Sequence, residues 1–192
     1  MGTLHATMNI SLDACCDHMQ VLADDEFHEH MADLFGRAAA LLFGGNTYAL
    51  LHGYWPRVAA SGAGTPAEVR LARILNEKPK YVVSSHEPAP GWSARRMDGN
   101  ADNIRALKGE TDGPLLLVAS PTLARAVVQW NLVDEYHVAI SPIVAGHGPT
   151  FLAGLQGDVT ATLLGVNRLA SGVVIHHYDF RGEGATTIPK AG

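Results

Sequence analysis

LLLVASPTL, residues 115–123, is the stretch that decides the fold, because an apolar strand runs directly into a capping serine and a first-position proline. The same arrangement recurs in residues 41–48 (LLFGGNTY) and, more briefly, in residues 81–85 (YVVSS). Each junction predicts a strand whose carboxyl end meets the first turn of a helix. Unpaired backbone N–H groups and the positive end of a helix dipole then lie together, as at the phosphate sites of open α/β sheets. The three junctions therefore predict a nucleotide-binding sheet.

The composition predicts one domain that binds a small molecule. With 192 residues, 47% of them apolar, the chain can bury roughly 70% of its unfolded surface around a single core. The net charge of -5 and the scattered Lys and Arg residues argue against nucleic acid or an anionic membrane as partner. The first residues show no basic region followed by an apolar stretch, and no apolar run approaches about 18 residues, so we expect neither export nor membrane insertion but a cytoplasmic protein. Cys15 and Cys16 are adjacent, which fits a reducing compartment.

The first element alternates strictly between apolar and polar side chains. Residues 4–13 (LHATMNISLD) place an apolar side chain at every second position, from Leu4 to Leu12. A two-residue period predicts a strand with one apolar and one polar face. The polar face, which includes Asn9 and Ser11, either lines a cleft or meets solvent, and the sequence favours neither interpretation.

The rest of the chain alternates helices and strands. Helices are expected from Asp24 or Asp25 to Arg37, from Thr47 (a short one), from Pro66 to about Asn76, from Asn100 to Lys108 with Gly109 as its stop, and from Ser120 to Trp130. Strands are expected at 38–43, 80–84, 94–97, 114–119, 135–141, 159–168 and 173–180, and a flexible connection at 59–65. Thr65, Pro66 and Glu68 form a capping box with a first-position proline. The order predicts one α/β domain in residues 1–181, with a mixed, mostly parallel eight-stranded sheet, about four flanking helices, a C-terminal antiparallel hairpin and a loose tail at 182–192.

Several of these segments together resemble the dihydrofolate reductase-like superfamily. The resemblance is carried by Ser11 to Asp13, Gly44 to Tyr48, Tyr54 to Pro56, Val82 to Ser85 and Leu132 to Gly148 (LVDEYHVAISPIVAGHG). Their order and spacing, from about Leu4 to Phe180, are most similar to the branch that includes the reductase domain of riboflavin biosynthesis. The resemblance implies a single-domain reductase fold, a nicotinamide cofactor and a homodimer.

The resemblance also implies where the cofactor binds. NADPH, with NADH as the alternative, is expected to contact Gly44, Gly45, Asn46, Thr47, Ser84, Ser85, Val118, Ala119, Ser120, Pro121, Thr122 and Leu123. Hydroxyl and backbone N–H groups at these positions suit phosphate oxygens. The chain departs from the family twice: Gly45 and Asn46 stand where relatives commonly have Arg or Lys, and Ala119 with Ser120 replaces a pair of glycines. Both departures predict weaker phosphate binding, and the first leaves the choice between NADPH and NADH open.

Hydride transfer needs a proton source for the atom that gains charge, and two residues are candidates for it. Asp13 ends the polar face of the first strand and matches a position that the family keeps near substrate. Its alternative role is to fix a loop through hydrogen bonds to the backbone. His18 either protonates a heterocycle near neutral pH or lies exposed in a loop. Relatives place their acid near the start of the first long helix, where Asp24 and Asp25 have capping as their alternative role.

The resemblance implies that substrate contacts Asn9, Ser11, Asp13, Phe27 and Trp55. Trp55 either walls the pocket against a flat ring or packs at a helix end. The histidines, cysteines and acidic residues between positions 13 and 30 show no closed zinc spacing, so we expect no metal site.

Together these observations favour a reductase that passes a hydride from NADPH to a small nitrogen heterocycle, such as a pterin, a folate-like compound or a pyrimidine. Reduction of a carbonyl or imine in another metabolite is a second enzymatic interpretation. A catalytically silent relative that only binds a nucleotide or a drug is the alternative from a different class of protein.

Overall fold

One eight-stranded sheet carries six α-helices in residues 2–181, the part of the chain that the computed structural model describes. The strands are β1 Leu4–Ile10, β2 Ala40–Gly44, β3 Lys80–Val83, β4 Ala94–Met97, β5 Leu115–Val118, β6 Glu135–Ile140, β7 Thr162–Arg168 and β8 Val174–Asp179. The helices are α1 Asp25–Arg37, α2 Gly45–His52, α3 Trp55–Ser61, α4 Pro66–Glu77, α5 Ala101–Glu110 and α6 Pro121–Gln129, and His18–Gln20 forms a 3₁₀ turn. The tail predicted at 182–192 lies outside the described residues.

The strand order across the sheet is β4-β3-β2-β5-β1-β6-β8-β7. The first six strands are parallel, and β8 and β7 extend the sheet as an antiparallel hairpin. The predicted mostly parallel α/β sheet with a C-terminal hairpin is thus confirmed. Gly44 of β2 pairs with Val83 of β3, and Thr7 of β1 pairs with Val118 of β5, so the carboxyl ends of these strands share one edge. All three junctions seen in the sequence lie along that edge.

Helices cover both faces of the sheet with apolar side chains. On one face, α1 and α4 contribute Phe27, Phe35 and Leu71 to a buried cluster. On the other face, α5 and α6 pack against the apolar positions of β1, which include Leu4 and Met8. The alternation of β1 therefore turns its polar residues toward the α1 side of the sheet.

Three local predictions are corrected by the structure. β1 ends at Ile10 instead of Asp13, because Ser11 and Cys15 exchange hydrogen bonds that turn the chain: Cys15 N–H donates to Ser11 Oγ at 3.0 Å and Ser11 N–H donates to Cys15 O at 2.9 Å. Gly109 lies inside α5, which continues to Glu110. The connection expected at 59–65 is helical up to Ser61, as part of α3. The short helix predicted from Thr47 is α2, and α3 is a further helix that the sequence did not predict.

The helix start predicted at Thr65 is confirmed in detail. Glu68 N–H donates to Thr65 Oγ1 at 3.3 Å, and Thr65 N–H donates to Glu68 Oε2 at 3.0 Å, with Pro66 at the first helical position. Within residues 2–181, none of the helices combines the length and the apolarity that crossing a membrane requires.

Candidate functional site

A groove of about 550 Å³ runs along the edge where β2, β3 and β5 end. Its lining residues are Gly44, Gly45, Asn46, Thr47, Val83, Ser84, Ser85, His86, Gly99, Ser120, Pro121, Thr122, Leu123, Ala126 and Trp130. The structure thus brings together most of the positions predicted to contact the cofactor. Val118 and Ala119 line an adjoining cleft instead. His86 and Gly99 were missed, although His86 directly follows the predicted Ser84 and Ser85.

Two helices begin at this groove without a side-chain cap. They are α2, after Gly44, and α6, after Ser120. By contrast, α1, α4 and α5 each begin with a side-chain oxygen that accepts a first-turn N–H. The first turns of α2 and α6 therefore keep backbone N–H groups for a ligand, at the ends of the helices that favour negative charge. The groove is suited to phosphate.

Ser120 holds the starts of these two helices together. Its buried Oγ accepts the Gly44 N–H at 2.8 Å and donates to Val118 O at 2.9 Å. The hydroxyl that we expected to bind cofactor is thus used within the protein, and the contribution of Ser120 comes from its backbone position. Gly45 packs closely against the loop that follows β3, since a Cβ on Gly45 would lie only 3.2 Å from Ser84 Oγ.

The loop before α6 has an unusual backbone at Ala119 and Ser120, the two positions where the resemblance implied glycines. Ala119 and Ser120 have φ angles of 46° and 60°, in the left-handed region. A residue with a Cβ pays roughly 1 kcal/mol or more for this conformation. Glycine adopts this geometry without strain, and the chain keeps the geometry without glycine at either position.

Ala119→Gly is therefore expected to raise the free energy of unfolding by about 0.5 kcal/mol, because relief of the left-handed strain exceeds the entropy gained by the unfolded chain. Urea denaturation measures the change. Ser120→Gly relieves the same kind of strain but removes two buried hydrogen bonds, so it is expected to lower stability. A less stable Ala119→Gly protein would contradict this account of the loop.

An apolar cleft of about 580 Å³ adjoins the groove. The two share Asn46, Thr47 and Pro121, so they form one continuous depression. The cleft walls come mainly from four helices and include Phe27, Met31, Phe35, Leu50, Leu51, Trp55, Leu71 and Leu75. A ligand with a charged end and a flat apolar end fits this combination.

The floor of the cleft is polar. Thr7 and Asn9 of β1 line it, which decides between the two interpretations of the alternating strand: its polar face borders a cleft. Thr7 Oγ1 and Asn9 Oδ1 are buried and have no hydrogen-bond partner among residues 2–181. Because a buried polar atom without a partner costs free energy, both atoms favour a ligand that carries hydrogen-bond donors. Thr7 was not among the predicted residues, although the same two-residue period points to it.

Phe27 and Trp55 both line the cleft, as predicted. Trp55 opens α3 and meets His28 and Tyr54 edge to face, at ring-centroid distances of 5.9 and 5.1 Å. Both interpretations of Trp55 therefore hold, since its indole packs at the start of a helix and also forms part of the cleft wall.

Asp13 and Ser11 are not brought into the cleft. The Asp13 carboxylate accepts hydrogen bonds from Ser11 Oγ at 2.5 Å, from Ala145 N–H at 3.0 Å and from Gly146 N–H at 2.7 Å. The Ser11 hydroxyl, followed by the two backbone donors, holds the pKa of Asp13 far below its usual range. A carboxylate that stays ionised and bonded to a loop is a poor proton donor at neutral pH. The structure thus supports the loop-fixing alternative for Asp13.

His18 does line the cleft, together with its neighbours Cys16 and Asp17. These three are the titratable groups of the cleft lining within the described chain. His18 Nδ1 lies 3.3 Å from Asp17 Oδ1, and the imidazole is 58% exposed, so it is accessible at the cleft mouth. Burial raises the pKa of the Cys16 thiol, which keeps it protonated.

The acidic residues at the start of α1 have structural roles. Asp24 Oδ1 accepts the Phe27 N–H at 2.8 Å and caps the helix, and Glu26 Oε2 accepts the Ala170 N–H at 2.6 Å. Glu29 forms an ion pair with Arg70. None of these carboxylates is part of the cleft lining.

Comparison with known proteins identifies the architecture. Residues 99–175 match the sequence model of the RibD C-terminal domain family. A protein of Shewanella sp. PV-4 assigned to riboflavin biosynthesis has a similar structure over 94% of this chain and 99% of its own, with a TM-score of 0.70 at 16% sequence identity. The chain shares the fold of this Shewanella protein. The predicted resemblance to this branch of the dihydrofolate reductase-like superfamily is thus confirmed.

Two further solved structures and one protein sequence are also similar to this chain. A pyrimidine reductase-like protein of Corynebacterium diphtheriae has a TM-score of 0.64 at 12% identity and covers 95% of this chain and 93% of its own. The diaminohydroxyphosphoribosylaminopyrimidine deaminase/5-amino-6-(5-phosphoribosylamino)uracil reductase of Thermotoga maritima has a TM-score of 0.64 at 14% identity. The match covers 93% of this chain but 56% of the Thermotoga protein. The uncharacterised protein YyaP of Bacillus subtilis is 22% identical over 151 residues, 78% of each chain.

Proposed function

We propose that the protein is a reductase that transfers a hydride from NADPH to a small nitrogen heterocycle of the pyrimidine class. The observation that carries the proposal is the continuity of the phosphate-suited groove with the apolar cleft through Asn46, Thr47 and Pro121. A nicotinamide dinucleotide combines a diphosphate with a flat ring, so it matches both parts of the depression. The RibD C-terminal domain match and the structural neighbours named as pyrimidine or uracil reductases support the same proposal.

The residues of the groove fit the phosphate end of the cofactor. The uncapped first turns of α2 and α6 supply backbone N–H groups, and Thr47 and Thr122 add hydroxyl donors. Bound NADPH would supply the hydride. The protein holds the cofactor by its phosphates and leaves the cleft for the ring that donates and the ring that accepts.

The cleft fits a flat heterocycle that carries N–H or amino groups. Phe27 and Trp55 offer apolar walls, and the floor offers the unpartnered oxygens of Thr7 and Asn9. These oxygens are satisfied by ring N–H or exocyclic amino donors, as an aminopyrimidine has. An aliphatic substrate would leave both atoms unpaired.

We assign the proton transfer to His18. It lines the cleft at its mouth, and an imidazole nitrogen can accept or donate a proton in the transition state. Asp17 Oδ1 lies beside Nδ1 and orients the ring, so Nε2 is the nitrogen that carries the proton to substrate. Asp13, with its carboxylate bonded to the loop at 145–146, takes no part in this assignment.

The test is a titration of the full chain with NADPH and NADH, followed by nicotinamide fluorescence and by Tm, and then a turnover assay. Oxidation of NADPH is expected with at least one member of a panel of aminouracils and dihydropterins. His18→Ala is expected to slow turnover roughly 100-fold, while the exposed His147→Ala control does not change it. Cofactor binding without oxidation across the panel would indicate the silent binding protein instead. Failure to bind either dinucleotide would overturn the proposal.

A further inference from the structure

A second cavity, of about 470 Å³, lies on the α1 side of the sheet, toward the amino end of β1. Four of the chain's 10 histidines line it: His5, His30, His137 and His177, and Glu135 lies among them. α1 separates this cavity from the cleft, since Met31 and Phe35 border the cleft while His30 and Leu34 border the cavity. None of these histidines takes part in the proposed reduction.

The sheet brings these side chains together by register. His5 of β1 pairs directly with Glu135 of β6, and His137 of β6 pairs directly with His177 of β8. Each of His5, Glu135 and His137 offers one ligand atom, and these three atoms lie within 4.8 Å of one another. Strand positions hold side chains more precisely than loops do, so the cluster is preorganised.

His177 supports the cluster from the side. Its Nε2 donates to Glu135 Oε2 at 2.8 Å, and its ring stacks on that of His137 with centroids 4.1 Å apart and planes 13° apart. His5 Nδ1 lies 3.7 Å from the same Glu135 oxygen. The carboxylate and the His137 ring are therefore both oriented by a neighbour, as metal ligands commonly are.

We propose that His5, Glu135 and His137 bind a divalent first-row transition-metal ion, with His177 orienting Glu135 and a fourth position open to the cavity. Two imidazoles and one carboxylate are a usual ligand set for zinc, cobalt or iron, and three protein ligands with one open position are typical of reactive metal sites.

The other polar groups that border the cluster are one further histidine and two cations. His30 lines the same cavity, and its Nε2 has no hydrogen-bond partner within residues 2–181. Two cations stand near the site: Arg37 lines the cavity, and Arg181 contacts Glu135 Oε1 at 3.3 Å. Because Arg181 contacts Oε1, the oxygen nearest His5 is Oε2, which also accepts the His177 hydrogen bond and has a second lone pair for the ion.

The experiment titrates the untagged, chelator-treated full chain with Zn²⁺ by calorimetry and with Co²⁺ by visible absorption. One ion per chain is expected, with the intense absorption of four-coordinate cobalt and a Tm that rises with zinc. Glu135→Gln and His137→Ala are expected to weaken binding by at least about 100-fold. His176→Ala is the matched control, because it neighbours His177 on β8 but lies outside the cavity lining, and it is expected to bind as the native chain does.

Three results would overturn the proposal: absence of a stoichiometric zinc isotherm in the native chain, an equal loss of binding in His176→Ala, or stabilisation by inorganic phosphate in place of zinc. The native-chain titration decides by itself, so the proposal stays testable even where a variant fails to fold. NADPH binding is measured in the same samples. The metal site and the proposed reductase function can therefore fail independently.

Discussion

Asn46→Asp is expected to weaken NADPH binding at least about tenfold, equivalent to about 1.4 kcal/mol. Asn46 is the second residue of α2, it is exposed, and it borders both the groove and the cleft. The change is nearly isosteric, and a carboxylate in the first turn of a helix stabilises that helix. The stability of the fold is therefore kept, while a negative charge enters the groove where phosphate is proposed to bind. Two like charges about 4 Å apart repel by about 1 to 4 kcal/mol.

The opposite substitution, Asn46→Arg, is expected to tighten NADPH binding roughly tenfold, because a guanidinium pairs with phosphate oxygens. NADH is expected to gain less, since it lacks the additional ribose phosphate. Fluorescence titration of both variants with both cofactors measures these changes, and the gap between the variants should shrink at high salt.

The control for Asn46→Asp is Asn76→Asp, which makes the same change of charge on α4, at an exposed position outside the groove and the cleft. It is expected to leave cofactor affinity unchanged. Equal affinities in Asn46→Asp and Asn46→Arg would show that the ligand's phosphates bind elsewhere, and the function proposed for the groove would lose its main support.

The features that sequence reasoning predicted correctly depend on short stretches of chain. Nine residues, 115–123, are enough to predict both β5 and the start of α6, and the capping box of α4 needs only Thr65 and Glu68. Because parallel strands bring their carboxyl ends to one edge, the groove follows once the junctions are recognised. The alternation of β1 likewise located Asn9, and it contained the signal for Thr7.

The features that it missed depend on contacts between distant segments. Asp13 finds its hydrogen-bond donors 132 and 133 residues away, at Ala145 and Gly146, so its local pattern did not separate a loop anchor from a catalytic acid. The cluster of His5, Glu135 and His137 joins two strands that are far apart in the chain but adjacent in the sheet. Spacing patterns within residues 13–30 therefore carry no information about this cluster. The register of β1 against β6 supplies that information, and it becomes visible only in the folded sheet.

Asp134→Ala is expected to produce the largest loss of stability, about 3 kcal/mol. Asp134 precedes β6, and its Oδ2 lies 2.5 Å from Lys108 Nζ of α5 and accepts the Leu4 N–H of β1 at 2.6 Å. The two side chains are only 14% and 12% exposed, so alanine leaves a nearly buried ammonium without its counter-charge and a strand N–H without its acceptor. For a chain of this length the loss lowers Tm by on the order of 10 °C.

A matched ion pair on the same helix shows why burial decides the size of this effect. Arg105 and Asp102 lie 2.7 Å apart, but their side chains are 56% and 92% exposed, so Asp102→Ala is expected to change stability by less than about 0.5 kcal/mol. Replacing both partners of the buried pair, as Asp134→Ala with Lys108→Met, should recover part of the loss, since no uncompensated charge is then left inside. Urea denaturation of the three proteins separates these contributions. A single Asp134→Ala variant as stable as Asp102→Ala would mean that neither the ion pair with Lys108 nor the hydrogen bond from the Leu4 N–H contributes appreciably to the free energy of unfolding.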